Sequence, residues 1–365
     1  MNKIFIPGIG AVSPAGWGVA ALRDALAKGE PLPVKELARP GWTQPLCIRQ
    51  VPPPNPRPAF LNHPRLRRTS PISQYAFAAA VEALGSDAPQ VAAGSLRLGV
   101  IFCVMTGCIN YSRRFYDETL KDPVTASPLV FPETVFNAPS SHLAAALGTT
   151  ARNYTLVGDP GTVLQGLALA ADWLTSGSVD ACLVVGAEEM DWLIADAFRL
   201  FDKEYLMSEG AGAVYLKQNP VGDEVTSLKL KTDIDQRLLT SSPTGESAVR
   251  LAAVTDSHLF FDNQSRAEAA KKMRAQMESA AADLLCDGQQ NLPRMDAAEV
   301  AAWNHWRGAR LSPKTVLGEG SMAASAWQCV AAVDALRQNR YAAANVSVVG
   351  CNQQAIGARF VNQKA

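Results

Sequence analysis

Apolar positions along the chain fall into short continuous runs and helical stripes that alternate. Residues 4–12 form an apolar run that includes Gly8 and Gly10, which predicts a buried strand ending in a glycine-rich turn. Helical spacing follows over 17–27. Residues 31–68 carry Pro52, Pro53, Pro54, Pro56 and Pro58 and read as an irregular surface excursion. An Ala-rich amphipathic helix is predicted over 73–84, a central strand over 96–104, and a helix with a small-residue face over 134–147. Strand 153–157, helix 159–175, strand 180–185 and strand 210–216 complete this stretch. The theme then returns: strand 225–232, polar-faced helix 264–282, short strand 284–286, helix 323–337, and strands 345–349 and 358–361. Strands alternating with helices predict an α/β architecture with two stretches of related layout. No short-period repeat accompanies them.

Composition narrows the class. The 365 residues suggest about two domains or one large duplicated unit. Hydrophobic residues at 48% against 19% charged exclude a disordered chain. The 34 basic and 34 acidic residues cancel, which argues against a broad nucleic-acid or anionic-membrane surface. Arg65, Arg67 and Arg68 remain as a local basic patch. Neutrality with so much apolar content points to an oligomer. The first apolar run is punctuated by Pro7, Gly8, Gly10, Ser13 and Pro14, unlike a signal peptide. No apolar stretch is long enough for a transmembrane helix, so a cytoplasmic protein is expected. The seven cysteines (Cys47, Cys103, Cys108, Cys182, Cys286, Cys329, Cys351) form no C-x-x-C pair and no zinc spacing, so reduced thiols and no metal are expected.

Candidate chemistry is sparse. Gly8 and Gly10 after a strand suggest a dinucleotide turn, but Ser13 stands where the third glycine is needed and no acidic residue follows at the right distance. Asp159 suits a helix N-cap and Pro160 the first helical position, where the missing N–H costs nothing. A helix N-terminus lowers a carboxylate's pKa, which makes Asp159 a poor base. His142 lies on the Ala-rich helix and reads as packed; His63, His258 and His305 lie in polar or Pro-rich contexts, and no nucleophile elbow is present.

Several short motifs, in one order, resemble the β-ketoacyl synthases, which are thiolase-fold condensing enzymes. They are Gly8 through Gly16; Arg67, Arg68, Gln74 and Tyr75; Phe131, Pro132, Asn137 and His142; Gly177 and Asp180; Val185 through Glu188; Phe201 through Lys203; and Glu209 through Gly212. The resemblance implies a duplicated αβαβα layered fold with two mixed five-stranded sheets. It also implies an N-terminal half, 1–217, and a C-terminal half, 218–365.

The family's chemistry requires a Cys at a helix start, which carries the acyl thioester, and two His residues that stabilise an enolate. In this sequence the matching positions hold Pro160, Asp287 and Glu319. Lys314 is retained, and Asp296 and Glu299 match an acidic pair downstream of the first His. His305 is a rival for that His, but no strand leads into it. Gly350 falls where the family has a gating loop. The expected state of Asp287, Glu319 and Lys314 is a salt-bridge cluster filling a dead site. The resemblance therefore implies a catalytically inactive subunit like a chain-length factor. Such a subunit pairs with an active ketosynthase and sets chain length on an acyl carrier protein in type II polyketide or aryl-polyene synthesis. Met105, Thr106, Gly107, Phe131, Thr134, Phe198 and Gly350 are the candidate tunnel residues. Partner contact is expected at 127–150 and at a sheet edge after the helix that starts near Pro160. No cofactor is implied. Two readings stay open beside this one: a homodimeric enzyme with chemistry that uses no Cys, and a scaffold that docks carrier proteins.

Overall fold

The computed structural model describes residues 4–218, 248–277 and 282–362. The predicted strand 225–232 lies outside these residues. Among the described residues the main sheet has twelve strands; ten form its continuous path: β1 (Ile4–Ser13), β2 (Leu98–Val104), β3 (Asn153–Val157), β4 (Ala181–Glu188), β5 (Gly210–Gln218), β6 (Val249–Val254), β7 (Leu284–Cys286), β8 (Ala309–Leu311), β9 (Ala343–Val349) and β10 (Gln354–Asn362). Across the sheet they run β8-β7-β9-β10-β6-β1-β5-β4-β2-β3.

The first five strands are ordered β1-β5-β4-β2-β3, and the last five repeat that order as β6-β10-β9-β7-β8. The pairings repeat too. In each set the first two are antiparallel and the last two parallel. The duplication is therefore plain in topology, although no sequence repeat marks it. One expectation changes: the two five-stranded sets are not separate sheets. Ile4, Phe5 and Ile6 of β1 pair antiparallel with Leu251, Arg250 and Val249 of β6. That junction satisfies backbone groups that two separate sheets would each leave on an open edge.

The layering follows from which faces are apolar. Helix Met322–Arg337 is buried along its length up to Leu336, and with helix Thr162–Thr175 it forms the central layer. A helix that is apolar all round belongs inside. Helix Pro71–Leu84 covers the outer face of the first set, and helices Asn263–Met277 and Pro293–Ala302 cover the second.

Gly8 and Gly10 lie inside β1, not in a turn beyond it. A Cβ at Gly8 would stand 1.6 Å from the Ala83 carbonyl oxygen, and one at Gly10 1.9 Å from that of Ala79. The glycines are there so that helix Pro71–Leu84 can lie directly on the strand. Helix Ile109–Lys121 and the short strands Lys35–Leu37 and Leu46–Arg49 appear where no element was predicted. None of the described residues forms a helix long and apolar enough to cross a membrane.

Candidate functional site

Strands β7, β8 and β9 run parallel, so their C-terminal ends open on one side. Asp287 follows the first, Ser312 the second and Gly350 the third. The turn 158–161 after β3 meets them across the 350–354 segment. In open α/β sheets such a confluence of strand ends is where ligands bind.

The turn corrects one expectation. The helix begins at Thr162 with Gly161 as its N-cap, so Pro160 is a buried turn residue ahead of the helix, not its first residue. Asp159 is 1% exposed, and its carboxylate bonds well beyond the turn. It accepts from the Gly161 N–H at 3.0 Å, the Gln353 and Gln354 N–H groups at 3.2 Å each, and Gln354 Nε2 at 3.0 Å. Burial raises its pKa in spite of these bonds, the opposite of the direction expected from a helix dipole.

Asp287 is fully buried. Leu311 of β8 pairs with Cys286, and the alternation along a strand turns its flanking residues Arg310 and Ser312 toward Asp287. Arg310 Nη1 reaches Oδ2 at 2.8 Å and Ser312 Oγ reaches Oδ1 at 2.6 Å. Burial raises the Asp287 pKa, against the pull of these donors. Glu319 lies apart from it. Its Oε2 accepts from Lys314 Nζ at 2.6 Å and its Oε1 from the Ser321 N–H at 2.7 Å, with the Tyr205 hydroxyl 3.5 Å away. Burial alone would lower the Lys314 ammonium's pKa, but Glu319 outweighs it and holds it above the ordinary value. The expected three-residue cluster is therefore two separate ion pairs: Asp287 with Arg310, and Glu319 with Lys314. Each carboxylate keeps a cation of its own.

Beside the Lys314–Glu319 pair lies a polar cavity lined by Tyr205, Arg266, Glu299, Lys314, Glu319 and Cys351, among others. It has room for about one water, roughly 10 Å³. Asp296 accepts from the Gln290 and Leu292 N–H groups, and Glu299 from Gly288 and Ser347, so the acidic pair ties down the loop after Asp287. Several lining residues escaped sequence reading, Arg266 among them. Arg266 lies on a helix that reads as polar-faced, yet it is buried and donates to the carbonyls of Met295, Val349 and Gly350. Cys351 is half-buried beside the cavity, its thiol pushed up to about 12 by burial. His305 does not line the cavity.

The candidate tunnel residues divide. Phe198 is buried against Tyr205, with ring centroids 5.3 Å apart, in an apolar cluster that Met105 joins. Met105 and Thr106 donate their N–H groups to buried Glu188, whose carboxyl burial raises to about 8. Gly107 packs on Phe136. Phe131 is 56% exposed and packs at a tilt against Phe115, and Thr134 is bonded to the Phe131 carbonyl. Gly350 stands away from these, its Cα side filled by Asp159.

Phe131 belongs to a face with Tyr116, Leu120, Val124, Leu129, Val135 and Phe136 exposed. β3 is an outer strand at one end of the sheet's ordered path, with Tyr154 and Val157 exposed. This edge strand precedes the helix at 162; the expectation of an edge after that helix is corrected. His142, expected to be packed, is half-buried on the same side and bonded to Glu133 at 2.9 Å.

A duplicated α/β unit layered as αβαβα, with its site at the strand ends, defines the thiolase-like class. Residues 1–220 match the family described as the N-terminal domain of beta-ketoacyl synthase, and the chain belongs to that family. No curated protein sequence matches it. Among solved structures it is similar to the ishigamide ketosynthase/chain length factor, at 17% identity and TM-score 0.74, with 99% of each chain covered. It is similar to a beta-ketoacyl synthase from Burkholderia phymatum STM815, at 15% identity and TM-score 0.75, with 99% of this chain and 100% of that one covered. It also matches a type II PKS acyl-carrier protein in complex with its ketosynthase bound to the hexaketide, at 15% identity and TM-score 0.72, with 99% of each chain covered. At these identities the likeness is one of fold.

Proposed function

We propose that this chain is a catalytically inactive ketosynthase-like subunit that pairs with an active ketosynthase and sets chain length in a type II, carrier-protein-dependent pathway of the cytoplasm. Aryl-polyene synthesis is the branch we favour. The reading treats 1–217 and 218–365 as two thiolase-like halves. The observation that carries it is the state of the site. Pro160 has no nucleophile, and Asp287 and Glu319 are acceptors already held by cations. An enolate oxygen needs donors, and two carboxylates in their place repel its developing charge.

The partner would seat on the face around Phe131 and β3. Val124 at 91% and Leu129 at 80% exposed are large apolar side chains in water that a partner would cover. On this reading a growing acyl chain would run between the subunits past Met105, Thr106, Gly107, Thr134 and Phe198. Phe131 supplies the stop.

The test is product analysis from the reconstituted system. Phe131→Ala, a change at an exposed ring, should leave stability within about 1 kcal/mol and shift the product to longer chains. Unchanged product length from an intact complex would refute the stop. Phe198→Ala is the less suitable variant, because emptying a buried ring site costs about 3–5 kcal/mol.

A further inference from the structure

We propose that Asp159 is a positioning residue that, with Arg266, locks the 350–354 segment shut over the cavity, so that no acyl thioester enters this chain's own pocket. The segment is held from two sides by opposite charges. The Asp159 carboxylate takes the N–H groups of Gln353 and Gln354 and the Gln354 side-chain amide. The Arg266 guanidinium donates to the carbonyls of Val349 and Gly350. Both gripping side chains are at least nine-tenths buried. Charge-assisted bonds of this kind are roughly twice as strong as neutral ones.

The fit leaves no slack. A Cβ at Gly350 would come within 1.8 Å of Asp159 Oδ2, so the backbone lies directly on the carboxylate. Gly350 N also donates to Gln354 O at 2.8 Å, which closes the segment on itself. Cys351 of the segment, with Val349 just before it, walls the one-water cavity. Loss of the Cys removes the chemistry; the lock goes further and removes the access. The consequence for acyl traffic rests on reading this pocket as a lost acyl site, but the lock itself does not.

Alkylation of Cys351 by N-ethylmaleimide, followed peptide by peptide on the native full-length protein, reads the lock. Exposed Cys47 is the internal standard. Removing the charge of Asp159 would also ease ionisation of the Cys351 thiol, so the deciding variants keep it. Asp159→Glu lengthens a side chain that has no room against Gly350, and Gln354→Ala removes one donor. In the wild type Cys351 should react more slowly than Cys47. Asp159→Glu should speed Cys351 by about tenfold and Gln354→Ala by about threefold, with buried Cys103 and Cys286 unlabelled. Wild-type rates at Cys351 in both variants, or a wild-type Cys351 as fast as Cys47, would overturn the lock. Should Asp159→Glu also label Cys103 and Cys286, it has unfolded, and Gln354→Ala decides by the same criterion. The product-length assay can fail with this result intact, and the reverse, so the two claims stand apart.

Discussion

Lys314 and Glu319 are both buried, 5% and 2% exposed, and held at 2.6 Å. A buried pair of this kind is worth little against an apolar replacement, but breaking it strands a charge. Lys314→Met should therefore cost about 3–5 kcal/mol in urea denaturation, and Lys314→Met with Glu319→Gln should recover most of the loss. Additive costs in the double variant would show that the two do not act as a pair. Pro160, Asp287 and Glu319 were singled out because motifs flank each of them. Their partners were not. Arg310 reaches Asp287 through a three-residue strand too short to leave a periodic signal, so Lys314 was assigned to both acids. Asp159 looked like a simple cap because its other partners lie nearly two hundred residues away in sequence.

Elements were legible where one face is apolar and failed where packing decides. The alternating strands and the central helix were in the pattern, and β10 runs longer than its apolar stretch, from Gln354 to Asn362. Helix Ile109–Lys121 was not in it, because none of its residues is fully buried: Tyr111 and Phe115 are half-buried, and Tyr116 and Leu120 are exposed. Exposed apolar residues on a helix read as disorder in the pattern until the neighbouring surface is seen. The glycines of β1 were visible but misassigned to a turn. Their role gives a prediction at this scale. Gly10→Ala puts a methyl into the backbone of helix Pro71–Leu84 and should destabilise by at least about 1–3 kcal/mol. The same change at Gly94, where a Cβ meets nothing within 4 Å, gauges how much of that is space, though its positive φ adds strain of its own. Equal denaturation midpoints for Gly10→Ala and the wild type would contradict the close approach.

For the whole molecule, the buried acids set the pH response. Glu188 ionises at about 8 when folded, against 4.5 as its ordinary value, because burial disfavours the charge. Glu299 is raised for the same reason, with the Asp287 charge adding to it. Between those values the folded state holds protons that the unfolded chain has released, so stability falls as pH rises. Groups held low, such as Asp180 beside Arg97, act only below about pH 4. The melting temperature should drop by roughly several degrees from pH 5.5 to 8.5, and Glu188→Gln should flatten that slope. A melting temperature that rises over the interval would contradict the assignment. The duplicated architecture was legible from layout and motif order together. The junction of β1 with β6 was not, since three backbone pairs leave no side-chain pattern.

On the function proposed above, this chain works only with an active partner. Native mass spectrometry of the protein drawn from its own host through a mild tag tests that most directly. A one-to-one complex with a second ketosynthase-like chain, one that carries a nucleophilic Cys at its own helix start, is the predicted result. A homodimer with no such chain bound would contradict it, and would turn attention to the two ion pairs at Asp287 and Glu319 as chemistry of the protein's own.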